Sequence, residues 1–99
     1  MNLSLFKESL SGNKPPQNLS VYLNALWYDA KGEWDSSHKL IQDVADNNAS
    51  WIHAYLHRKE GDMGNADYWY HCAGKEKPDL SLEKEWEEIA TSLIRETWS

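Results

Sequence analysis

Two turns, Gly32–Glu33 and Gly61–Asp62, lie 29 residues apart, and each follows a stretch with apolar residues at helical spacing. Aligning ALWYDAKGEWDSSHKLIQDV with AYLHRKEGDMGNADYWYHCA sets Ala25 on Ala54, Gly32 on Gly61 and Glu33 on Asp62. A period of this order, with helix–turn–helix in each unit, marks a stacked α-hairpin array. A hairpin cannot bury its apolar face alone, so two units need helices at both ends as caps. The expected fold is all-α: stacked antiparallel helical hairpins, about five to six helices, in a single domain over residues 1–99.

Individual segments fit this plan. Leu3, Phe6 and Leu10 form one stripe of an N-terminal helix over 3–10. Residues 11 to 16, SGNKPP, break it, because Pro15–Pro16 cannot continue a helix. Asn18 is the expected N-cap of a helix carrying Leu19, Tyr22, Leu23, Leu26 and Trp27, which Gly32 ends. Residues 33 to 46 place Trp34, His38, Ile41 and Ala45 on one face, with Leu40 and Val44 beside it. The first hairpin therefore covers 19–46. Asp46, Asn47 and Asn48 make a polar turn, with Asn48 as cap. Helices over 51–60 and 65–73 build the second hairpin, 49–74. The run NADYWYHCA also suits a strand, and the helix–Gly–helix rhythm selects helix. After a linker at 74–78, Ser81 caps a C-terminal capping helix over 81–98. Its stripe is Leu82, Trp86, Ile89, Leu93 and Thr97, with acids opposite.

Composition narrows the function classes. The formal net charge of −6 argues against a sequence-independent grip on nucleic acid or an anionic membrane. No stretch reaches the apolar length of a membrane span, and the N-terminus lacks a signal-peptide pattern. The single Cys72 excludes an internal disulfide framework and fits a reducing, cytoplasmic compartment. A 99-residue chain has little room for a large enclosed cleft. Six Trp and five Tyr against one Phe give a core whose rings carry polar edges that need partners.

The second unit resembles the tetratricopeptide repeat, a helical hairpin of about 34 residues. Ala54, Gly61–Asp62, Ala66, Tyr70, Ala73 and Pro78 stand in its register. In the first unit Ala25, Gly32, Ser37, Ile41 and Val44 take the equivalent places, without the closing Pro and with a shorter turn into the next unit. The whole chain is also similar to small bacterial proteins with a Trp-x-His-Ala-Tyr-Leu-His-Arg-Lys-Glu-Gly-Asp run, here Trp51 to Asp62. The repeat resemblance implies a peptide-binding groove lined by the first helix of each unit. Its positions are Asn48, Trp51, Tyr55, Arg58 and Lys59, and in the first unit Leu19, Tyr22, Leu26, Asp29 and Ala30. Helical spacing independently puts Trp51, Tyr55 and Arg58 on one face. The leading expectation is a protein- or peptide-binding module, monomeric or a small homo-oligomer, with no cofactor.

A different class, a small metal-dependent or histidine-based enzyme, would centre on His53, His57 and His71. His53 and His57 are four apart, so both imidazoles can point the same way. No His-Glu-x-x-His pattern or Cys pair supports them. In the repeat register both fall where side chains pack between helices, so hydrogen-bonded structural histidines are expected. Cys72 points about 100° away from His71 on a helix and reads as a small buried residue. Glu60 and Asp62 read as helix-end charges. Asp35, Ser36, Ser37 and His38 contain the residue types of a hydrolytic triad without evidence of its geometry. Glu83, Glu85, Glu87 and Glu88 are expected on a solvated face. Trp98 would either pin its helix or drive self-association.

Overall fold

The structure, a computed structural model, describes the backbone of residues 1–98 and the side chains of residues 1–96. The expectations for Thr97 and Trp98 thus fall outside the described side chains. The element order is α1 (Leu3–Glu8), a 3-10 turn (Ser9–Ser11), α2 (Val21–Ala30), α3 (Trp34–Ile41), α4 (Asn47–Glu60), α5 (Met63–Cys72) and α6 (Leu82–Trp98). Among the described residues there is no strand, and the fold is all-α. None of these helices is long and apolar enough to cross a membrane.

Short polar side chains start every α-helix but α3. Asn2, Ser20, Asp46, Asp62 and Ser81 each accept a backbone N–H three residues on. Two of the expected caps move. Asn18 sits before α2 at φ +67°, and Ser20 is the cap. Asp46 rather than Asn48 caps α4, whose carboxylate suits the positive end of the helix dipole, so α4 starts four residues before Trp51. The helix expected over 33–46 ends at Ile41, and Val44 N–H closes a tight turn on the Ile41 carbonyl at 3.1 Å. The following Asp and Asn side chains compete for backbone groups and favour turns.

The two aligned glycines do the same work. Gly32 has φ +81° and Gly61 φ +87°, a region costly for other residues. At each, the next N–H reaches back across the turn: Glu33 to the Tyr28 carbonyl and Asp62 to that of His57, both at 2.9 Å. These bonds satisfy carbonyls that a helix end otherwise leaves open.

Helices α2 and α3 pack as one hairpin, α4 and α5 as the other, and α3 joins them by lying against α4. Helix α6 crosses α4 and α2, and α1 packs on α6. Small residues permit the close approach: Ala25, Ala54, Ala66 and Ala73 are all buried. The polar edges of the rings find partners. The indole N–H groups of Trp27, Trp34, Trp51 and Trp86 donate to Ser9 Oγ, the Leu56 carbonyl, Glu85 and the Leu26 carbonyl. Every residue from Trp51 to His57 is buried, so α4 is the central helix.

Candidate metal centre

Where α3 meets α4, three imidazoles converge. His53 and His57 sit one turn apart on α4, and their rings stack at 4.8 Å. His38 of α3 stands across from both, with centroids at 4.7 Å and 5.6 Å. Its Nε2 is 2.9 Å from His53 Nε2. One ligand nitrogen from each of the three lies within 4.8 Å of the others. Trp34 stacks on His38 at 4.8 Å and Trp69 on His53 at 4.0 Å, so indole planes flank the cluster on two sides. The Trp34 N–H to the Leu56 carbonyl, 2.9 Å, fixes that ring and with it the face His38 rests on.

Burial favours the unprotonated ring at His38 and His53. Burial, then the neighbouring His38 and His57, push His53 down to about 4. His38 is also lowered, first by burial and then by the nearby His57. Glu60 Oε1 lies 2.5 Å from His57 Nδ1. In the neutral ring, an Nδ1–H donated to this carboxylate leaves Nε2 with a free lone pair. A carboxylate behind an imidazole is the outer-shell arrangement that orients metal-bound histidines.

Of the residues read as metal candidates from the sequence, the structure joins His53 and His57 and separates His71, which is exposed on α5. The periodicity of α5 turns His71 away from the face that carries Trp69 to His53. Cys72 is half-buried outside the cluster. The third imidazole is His38. Its signal was its place on the apolar stripe with Trp34 and Ile41, a face that must meet another helix. Ser37 beside it is fully buried with a hydroxyl that makes no hydrogen bond, and Asp35 is exposed, so the Asp35–His38 run contributes His38 alone to this cluster.

The face expected to line an open groove is covered by α6. Trp51, Tyr55 and Asp29 are 6 %, 3 % and 2 % exposed. Glu85, expected on a solvated face, is fully buried and is the centre of this contact. It accepts from Trp51 Nε1 at 3.2 Å, from Arg58 at 2.8 Å and from the Tyr70 hydroxyl at 2.7 Å. Three other groove positions have internal partners, since Lys59 reaches Asp29 at 2.9 Å, Asn48 reaches Glu96 at 3.2 Å and the Tyr22 hydroxyl donates to Asp46, whereas Leu19 is half-buried and Ala30 is exposed. Leu26 is buried in the core. Glu87 pairs with Lys7 at 2.6 Å, and Glu83 and Glu88 are exposed. Comparison with models of known families, with curated proteins and with solved structures finds no match to this chain.

Proposed function

We propose that this protein is a small helical module that binds a divalent transition-metal ion through His38, His53 and His57. The observation that carries the reading is the convergence of three imidazoles from two hairpins, one of them backed by Glu60. Neutral imidazole suits zinc, copper, nickel and cobalt, whereas calcium and magnesium take oxygen ligands. Two nitrogens bound tetrahedrally at about 2.0–2.1 Å stand about 3.3 Å apart. The His38–His53 separation of 2.9 Å is near that value, and one nitrogen of His57 lies within 4.8 Å of both. Peptide binding along α4, the reading implied by the repeat resemblance, would require α6 to leave Trp51 and Tyr55, and their burial weighs against it.

Calorimetric titration of chelator-treated protein with zinc, and with cobalt for its visible absorption, tests the proposal. One equivalent binds, and His53→Ala or His38→Ala abolishes tight binding. Glu60→Gln weakens it by about 10–100-fold, the loss usual for an outer-shell partner. His71→Ala changes nothing. Sub-stoichiometric uptake that ignores His57→Ala would overturn the reading.

A further inference from the structure

The loop between α3 and α4, the start of α4 and the end of α5 border a cleft of about 310 Å³. Its walls include Val44, Ala45, Ser50, Trp69 and Cys72. We infer that this cleft binds a small neutral carbonyl compound, whose oxygen accepts from the Ser50 hydroxyl and the Trp69 indole N–H. None of the three imidazoles lines it, and the inference does not rest on the metal reading.

Two free donors carry the inference. Ser50 is 7 % exposed, yet its hydroxyl makes no hydrogen bond among the described residues. Trp27, Trp34, Trp51 and Trp86 donate internally, whereas the N–H of half-buried Trp69 has no acceptor among the described residues. Neither group is sealed off. Among the described residues, side-chain polar atoms that are closed to solvent and without a bond occur at Asp29 and Ser37 only. Buried polar side chains are mostly satisfied from within the fold, so a deep hydroxyl that opens on a cleft marks a place for a ligand atom.

Hydrogen-bond chemistry selects the ligand. An indole N–H only donates, so the atom that meets it must accept. An ammonium group has donors alone and does not fit. A carboxylate or phosphate would accept, but the walls hold Asp43 and Asp46 and no Lys or Arg, so an anion meets like charge. A neutral carbonyl oxygen remains, with a lone pair for each donor. Its apolar body lies on Val44, Ala45 and the Trp69 ring. The volume is at the lower end of the roughly 300–1,000 Å³ of small-molecule sites, which suits a compound of one ring. On binding, the carbonyl replaces water at the two donors, and the ring takes apolar wall out of solvent, which drives association.

Two-dimensional NMR of the full chain tests the site, read at the Ser50 and Cys72 amides and the Trp69 indole. Titration with acetophenone gives saturable shifts at these signals. Toluene, the same ring without an acceptor, binds at least about fivefold more weakly, because it leaves both donors unmet. Benzoate, the same ring with a negative charge, is also the weaker ligand. Ser50→Ala weakens acetophenone about two- to tenfold, the worth of one hydrogen bond, and leaves toluene unchanged. Trp69→Phe keeps a ring, removes the N–H and produces a loss of the same size. Absence of saturable shifts with acetophenone, equal affinity for toluene or benzoate, or unchanged acetophenone affinity in either folded variant would overturn the inference. Preference for N-acetylphenylalanine methylamide over acetophenone would give the cleft to a peptide and overturn it as well.

Discussion

Glu85 sits where the second hairpin and the last helix meet. Its carboxylate is fully buried, yet its oxygens accept from an indole, a guanidinium and a phenol. Removing a carboxylate from water costs several kcal/mol, and a charge partner with good hydrogen bonds offsets it. Arg58 supplies the charge, and the Trp51 and Tyr70 donors complete the shell. Glu85→Ala leaves Arg58 without its partner and should destabilise the fold by about 3–5 kcal/mol, measured by urea denaturation. A loss under about 1 kcal/mol would mean that water already reaches the pair. The sequence contained the clue. Glu85 lies three residues after Leu82 and four before Ile89, on the apolar stripe of α6, but the surrounding run of acids hides it. Asp29 is similar, a charge at a stripe edge that only tertiary contact buries.

At the level of elements, the helices and their pairing were legible because periodicity, caps and turn glycines are local signals. The hairpin order, the small-residue contacts and the left-handed glycines all follow from such signals. Which face of α4 stays open was not legible. That depends on where α6 docks, and no repeat pattern specifies the docking of a helix outside the repeat. Helix α3 is the least secured of the helices around the histidines. It has eight residues and no side-chain cap at its start. Its ties to α4 include the Trp34 bond to Leu56 and the His38–His53 contact. A metal held by His38 and α4 would clamp it. Zinc at about one hundred times its dissociation constant adds about 2.7 kcal/mol to the folded state. Hydrogen exchange should then slow across residues 34–41 beyond the rest of the molecule. Equal slowing everywhere, with zinc bound, would remove His38 from the ligand set.

The whole molecule carries a net charge of −6, but its first response to acid should come from His53 and His38, whose charging burial opposes. In the metal-free fold His53 titrates near 4, against about 6.5 in an unfolded chain. Below pH 6.5 the unfolded state therefore binds the proton first. Stability present above that pH falls as pH drops towards 4, by about 1.4 kcal/mol per unit at the steepest and about 3 kcal/mol in all. The lowered carboxyls of Asp62 and Glu87 begin to matter only at more acid pH. Denaturant midpoints measured between pH 7 and 4 should show this slope, and His53→Gln should flatten it. A flat wild-type profile would contradict the buried placement of the ring. The sealing role of α6 has another consequence, in time. Helix α4 reaches the ribosome exit ahead of Glu85, the residue that neutralises Arg58 and covers Trp51. Until Glu85 emerges, the nascent chain displays an aromatic, cationic face that neighbouring polypeptides can contact. The interval of greatest exposure in this protein's life is thus set by the elongation of α6, and slow codons there would prolong it.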